Sequence, residues 1–309
     1  MLSETWSDRQ ARAIARSIIE FHLNSPPDRL VEMSGGLSNY VYTAYHRKGA
    51  FIIRFSPAAD KIEDFLKEQW VLAKVREVGV PTPEVLQVGT EPVSVPYMVA
   101  RRVEGRTAVH HQRRIAIARE MGRLLALIHT IPTNGYGTTF DWTQNVLSRN
   151  DTWADFLRSE WQVEDRLSVL DTQGMLTTHQ GRALKELVER MMGWDAKPVL
   201  NHCDMRLKNV LVDDAGTIRA IIDWEHACSC PPPCWDLALA LHDLSIDAKE
   251  ALIEGYGLSG EQMRELGPFL GAINVLHYAP LVKHAAEQGD STELDRLHTR
   301  LCGAFDLFL

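Results

Sequence analysis

No uninterrupted apolar stretch of the 309-residue chain reaches the roughly 18 residues that a membrane-spanning helix needs, so no such anchor is expected. Excess positive charge is missing too. Lys and Arg number 33 against 41 Asp and Glu, a net charge of −8, which gives no polycationic field for phosphate backbones and argues against a nucleic-acid partner. Glu4, Asp8, Arg9, Arg12 and Arg16 interrupt the first residues, which excludes a secretory apolar core there; the expected location is the cytoplasm. Cysteine is scarce, five residues in all, and an odd number in a chain this long does not suggest a disulfide framework. Internal repeats and low-complexity tracts are absent. The remaining composition, 45% hydrophobic and 24% charged, is enough for two lobes with separate cores, and a small ligand is the expected partner.

Three of the cysteines, Cys228, Cys230 and Cys234, crowd behind His226 in an H-x-C-x-C-x3-C string. Pro231, Pro232 and Pro233 stiffen that segment and the spacing is not a usual zinc pair, so a turn lined with small buried thiols is expected instead of a metal site.

The organisation changes near Gly105. Before it, residues 41–45 and 51–55 are β-branched and aromatic runs around His46-Arg47-Lys48-Gly49, which predicts an antiparallel hairpin. Residues 60–78 carry apolar side chains at helical spacing, and short strands are expected at 85–88 and 97–100. After Gly105 the pattern is mainly helical, over 115–128, 153–170, 181–192, 237–244 and 261–284, with a β interlude at 199–222. Lys plus Arg and Asp plus Glu are equal in residues 1–104, so the whole negative excess lies in 105–309. The expected domains are therefore 1–104 and 105–309.

The richest segment is His202-Cys203-Asp204-Met205-Arg206-Leu207-Lys208-Asn209-Val210-Leu211-Val212, followed by Asp213-Asp214-Ala215-Gly216 and a second apolar run ending at Asp223-Trp224. An Asp-Asp-Ala-Gly turn between apolar runs predicts a hairpin that draws its polar ends, Asn209 and Asp223, together. Converging oxygen donors suit Mg²⁺, and Asp204 in the adjoining loop is suited to accept a hydroxyl proton. Phosphoryl transfer asks a protein chiefly for positioning and charge neutralisation, and these three groups are close to a minimal set for it. Singly, Asp204 could be a loop cap, Asn209 a turn residue and Asp223 a helix cap; their joint spacing favours the chemical role.

This segment resembles the catalytic and metal-binding motifs of the aminoglycoside phosphotransferase and choline kinase family, whose fold is similar to that of protein kinases. The resemblance covers about residues 30–245. It implies an α+β, two-lobed protein-kinase-like fold, with a small antiparallel-sheet N-lobe that binds nucleotide and a larger, mainly helical C-lobe that binds acceptor. In Ser34-Gly35-Gly36-Leu37-Ser38-Asn39-Tyr40, Gly35 and Gly36 permit close backbone approach while Ser38 and Asn39 can donate to phosphate oxygens, and the stretch resembles the family's nucleotide loop. Arg54 stands where protein kinases have lysine, with Glu68 as its partner; a surface ion pair is the plain alternative. The backbone of Arg101 and Val103 falls at the family's purine-binding connector. Arg206 falls where a basic residue reaches the transferred phosphate, although the family more often has histidine there. Asp236 matches an aspartate that braces the catalytic loop, while His202 supports that loop and His129 packs.

The resemblance thus implies Mg²⁺-dependent transfer of the γ-phosphate of ATP or GTP to a hydroxyl of a small molecule, with Asp204 and Arg206 catalytic and Asn209 and Asp223 on the metal. The segment Pro81-Thr82-Pro83-Glu84-Val85-Leu86 looks most like hygromycin- and aminoglycoside-type members, which implies antibiotic resistance. A kinase for a sugar, choline or amino alcohol, and a nucleotide-binding pseudokinase, are the alternatives. A protein kinase is disfavoured, since Asp223 is followed by Trp224-Glu225 and not by Phe-Gly. The acidic second part favours a cationic acceptor. Trp142, Trp153, Trp161 and Trp235 are candidates to stack on it, and Asp151, Asp155, Glu225 and Asp243 to bind it; core packing and solvated charge are the competing roles.

Overall fold

The structure, a computed structural model, describes residues 6–33, 39–138, 150–242 and 244–306. Gly35, Gly36, Ser38, Trp142 and Asp243 lie outside the described residues. Two compact units are distinguished, Met1–His111 with Leu207–Glu225, and Gln112–Arg206 with His226–Leu309.

The first unit is built on a five-stranded antiparallel sheet whose strands run, in spatial order, Arg29–Glu32, Tyr40–His46, Gly49–Phe55, Tyr97–Arg101 and Val85–Gly89. The predicted hairpin pairs Tyr42 with Ile53 and Ala44 with Phe51, and its turn closes at Gly49, whose φ of 125° a side chain would resist. Alternation turns Phe51, Ile53 and Phe55 to one face, where the helix Asp8–Leu23 lays Ala11, Ala15, Ile18 and Ile19 upon them. Arg54 is one step out of phase and therefore projects from the opposite face. There the helix Lys61–Glu77 brings up Glu68.

The second predicted hairpin also forms, from Val210–Val212 and Ile218–Ile221. It pairs with the short strand Arg106–Thr107, and Ile221 N–H donates to the Pro81 carbonyl at 2.8 Å. These bonds are why the segment belongs to the first unit.

The second unit is mainly helical, and its details depart from expectation. The helix expected over 153–170 is two, Trp153–Ser159 and Val163–Thr172, because Gln162 between them adopts φ 52°. The helix expected over 261–284 is likewise Gly260–His277 followed by Ala279–Gln288, with Pro280 in the first turn of the latter, where its missing N–H costs no hydrogen bond. The cysteine segment is a buried strand, Cys228–Cys230, antiparallel to Val199–Asn201, and not a turn. The helix at 181–192 starts earlier, at Thr178, behind a Thr177/Gln180 capping box. Among the described residues no helix is long and apolar enough to cross a membrane.

Candidate active site

Arg54 and Glu68 form a two-pronged ion pair in which Arg54 Nη1 donates to Glu68 Oε1 at 2.8 Å and Oε2 at 2.7 Å. Their side chains are 16% and 5% exposed, which removes the surface alternative. Glu225 is 3.6 Å from Arg54 Nη2, and its carbonyl receives a hydrogen bond from the buried Lys67 at 2.7 Å. Burial works against the Arg54 charge, yet Glu68, Glu225 and Asp223 together outweigh it and raise its pKa. Burial raises the Glu68 carboxyl in turn, with Arg54 opposing. One guanidinium thus faces three carboxylates, an excess of negative charge in this unit.

Asn209 ends a single 3₁₀ turn, Leu207–Asn209, at the entry to the hairpin and is 4% exposed. Its carbonyl accepts the Ile222 N–H at 2.9 Å, so Asn209 and Asp223 stand at the same end of the ribbon, as the turn chemistry predicts. Asp223 has φ 69°, a left-handed conformation costly to a residue with a side chain and concentrated at functional sites. Trp224 anchors it from behind, fully buried, with Nε1 donating to the Ile221 carbonyl at 3.0 Å. An amide and a carboxylate oxygen next to Glu225 form a hard donor set that fits Mg²⁺ and not a soft metal.

Of the remaining nucleotide candidates, Arg101 has its side chain paired with Glu84 at 2.6 Å on the surface, and its N–H donates to the Glu84 carbonyl at 2.8 Å. The Arg101 N–H is therefore engaged within the sheet. Val103 and Asn39 are half-buried, Asn39 directly before the strand Tyr40–His46.

Asp204 and Arg206 belong to the second unit. Asp204 is 6% exposed and its Oδ1 accepts from Arg206 Nε, while its own N–H donates to His202 Nδ1 at 3.1 Å. The loop is held by Asp236, fully buried at the start of the helix Cys234–His242. Its two oxygens accept the His202 N–H at 2.8 Å and the Cys203 N–H at 2.7 Å. His129 Nε2 donates to the same carboxylate at 3.1 Å, and its Nδ1 is 2.8 Å from the Tyr256 hydroxyl. Burial pushes the Asp236 carboxyl upward, but the His129 hydrogen bond and charge, with His202, more than offset it and hold the pKa low. His129 is thus a link between Tyr256 and the brace and does more than pack. Sequence reasoning missed Tyr256, which no local pattern marks.

The acceptor candidates divide. Trp153, Trp161 and Trp235 are buried against one another and Phe156, with Trp161 and Trp235 centroids 4.7 Å apart, so they are core and not a stacking platform. The Asp155 carboxylate accepts from the hydroxyl of Thr152, which caps that helix by accepting the Asp155 N–H. Asp151 is exposed, and Glu225 turns to Arg54. His277, not anticipated, is exposed; crowding by its neighbours and the charges of Arg166 and Arg206 lower its pKa, with Asp204 opposing.

An antiparallel sheet carrying an Arg–Glu clamp, with a polar-ended hairpin and a mainly helical second unit, constitutes a protein-kinase-like fold. The profile of the phosphotransferase enzyme family (APH) matches residues 29–269, and the chain belongs to that family. It is 25% identical over 207 residues to the hygromycin-B 4-O-kinase of Escherichia coli, a match covering 64% of this chain and 58% of that relative's length. Among solved structures, a thermostable mutant of aminoglycoside phosphotransferase APH(4)-Ia in ternary complex with AMP-PNP and hygromycin B superposes with a TM-score of 0.71. The identity is 20%, over 95% of this chain and 98% of that one. Macrolide 2'-phosphotransferase MphH from Brachybacterium faecium gives 0.59 at 18% identity, over 92% and 97%. These likenesses establish the fold.

Proposed function

We propose that the protein transfers the γ-phosphate of ATP or GTP to a hydroxyl of an aminoglycoside-type antibiotic, in the cytoplasm, where nucleoside triphosphates are supplied. The observation that carries this reading is the buried Arg54–Glu68 clamp with Asp223 and Glu225 beside it, a geometry suited to a nucleotide's phosphates and their counter-ion. Family membership and the ternary complexes of the structural relatives support nucleotide and aminoglycoside as the reactants. Residues 1–104 serve as the nucleotide lobe and 105–309 as the catalytic and acceptor lobe.

In this reading Asp204 orients the acceptor hydroxyl and takes its proton, and Arg206 releases Asp204 to meet the transferred phosphate. Arg54, held by Glu68, binds the α- and β-phosphates, while Gly35, Gly36, Ser38 and Asn39 supply donors from the loop, and the backbone of Arg101 and Val103 seats the purine. Asn209 and Asp223 would hold Mg²⁺, which would supply positive charge against the phosphates.

A metabolic hydroxyl compound of little positive charge is the second reading. Arg166 and Arg206 bear on His277 together with Asp204, a setting in which two guanidiniums face one carboxylate and disfavour a polycation. Product mass decides between them. Purified protein is incubated with Mg²⁺ and ATP or GTP and a panel of hygromycin, aminoglycosides, choline and sugars. A phosphorylated hygromycin or aminoglycoside supports the first reading, a phosphorylated sugar or choline alone supports the second, and no product with any acceptor despite nucleotide binding favours a pseudokinase.

A further inference from the structure

Three buried thiols of the second unit take no part in the roles above. Cys228 and Cys230 lie two residues apart on one strand and so share a face, and Asn201, paired with Cys228 across the antiparallel ladder, shares it too. Cys203 lies just beyond that partner strand, in a left-handed conformation with φ 62°, with its Sγ 2.9 Å from Cys228 Sγ. All three sulfurs lie within 4.8 Å of one another. Zn–S bonds of about 2.3 Å set the sulfurs of a tetrahedral centre about 3.8 Å apart, so this triangle becomes a ligand set with shifts on the order of 1 Å.

A second observation concerns Asn201. It is fully buried, with Nδ2 donating to the Cys230 and Val199 carbonyls at 3.1 Å each, yet its Oδ1 has no hydrogen-bond partner among the described residues. An unpaired buried oxygen costs about 1–3 kcal/mol. A cation at the adjoining sulfurs would satisfy it.

We propose that Cys203, Cys228 and Cys230 bind a thiophilic divalent cation of the zinc class, with Asn201 Oδ1 as the fourth donor. The ligand set differs from the H-x-C-x-C-x3-C string, since His226 is exposed and Cys234 begins the next helix outside the sulfur triangle. Burial keeps Cys203 and Cys230 as neutral thiols, so binding releases their protons to solvent as the metal–sulfur bonds form. Three thiolates around a divalent ion leave one net negative charge, against two around a monovalent ion. Asp236, whose charge already bears on Cys230, makes the smaller residue of charge preferable. Cys203 is the ligand that reaches the surface, at 9% exposure, and it directly precedes Asp204, so the ion would fix the entry to that loop.

The test uses the full chain, reduced and freed of metal under anaerobic conditions, titrated with Cd²⁺ as a spectroscopic probe and with Zn²⁺ against a chromophoric chelator. The expected result is one ion per chain, micromolar or tighter, with a thiolate-to-cadmium charge-transfer band and a higher thermal midpoint. The band should vanish in Cys228→Ser and persist in Cys302→Ser. Alkylation read by mass spectrometry on the wild type, in urea just below the unfolding transition where the buried thiols are labelled through opening, is the second measurement and needs no variant to fold: Cd²⁺ should protect Cys203, Cys228 and Cys230 but not Cys302. Absence of saturable binding, a band that survives Cys228→Ser, equal alkylation with and without Cd²⁺, or preference for Cu(I) over both divalent ions would overturn the proposal.

Discussion

Glu68 carries its charge on a side chain that is 5% exposed, with Arg54 supplying both hydrogen bonds that compensate it. Removing one partner of a buried pair strands the other, which costs about 3–5 kcal/mol. Arg54→Ala should therefore lower the unfolding free energy from urea titration by an amount in that range, and nucleotide affinity should fall with it; an unchanged unfolding free energy would mean that Glu68 finds solvent. Arg54→Lys retains charge but not the fork, so it should recover part of the stability and less of the binding. Asp236 gives a prediction in pH. Its folded pKa lies below the ordinary carboxylate value near 3.9, so the folded state binds fewer protons there than the unfolded chain. Its contribution is complete above about pH 4 and is lost as the pH falls through the lowered folded value. Asp236→Asn should be less stable at neutral pH and show a shallower loss in acid, measured by denaturation at stepped pH.

The helices Arg114–Ile128 and Ile246–Tyr256 touch backbone to backbone. A Cβ on Gly122 would sit 2.0 Å from the Leu252 carbonyl oxygen, and one on Gly255 would sit 1.9 Å from that of Arg119. Backbone cannot rotate aside, so Gly122→Ala should cost at least the about 1–3 kcal/mol of an overpacked core and should also displace Tyr256 from His129. Gly181, in the helix Thr178–Met192, has open space at its Cβ position, and Gly181→Ala should stabilise by about 0.5–1 kcal/mol. Thermal unfolding of the two variants side by side checks both signs. These elements also show what the sequence makes legible. The hairpin over residues 40–55 and the 210–221 hairpin declare themselves by alternation and turn chemistry, and with them the convergence of Asn209 and Asp223. The break at Gln162 was hidden because nothing local forbids helix there, and a left-handed glutamine is imposed by its surroundings. Tyr256 and His277 were illegible for a related reason: each acquires its role from side chains far away in the chain. The aromatic residues take the commoner role of side chains at helical spacing, since Trp153, Trp161 and Trp235 pack with each other.

For the molecule as a whole, the negative excess of residues 105–309 suggested a cationic acceptor, yet the groups that bear on His277 near Asp204 are mostly cationic. Net charge acts out to about a Debye length, about 10 Å at 0.1 M salt, while the acceptor's contacts act at bonding distance, so the two need not agree. Raising ionic strength should therefore slow capture of a polycationic acceptor, seen as a fall in kcat/KM, with little change in kcat. The reading of the site as a phosphotransferase turns on one carboxylate. Single-turnover transfer from labelled ATP to the best acceptor should be rapid in the wild type and lost in Asp204→Ala, with nucleotide affinity retained. Transfer at the wild-type rate in that variant would contradict the account.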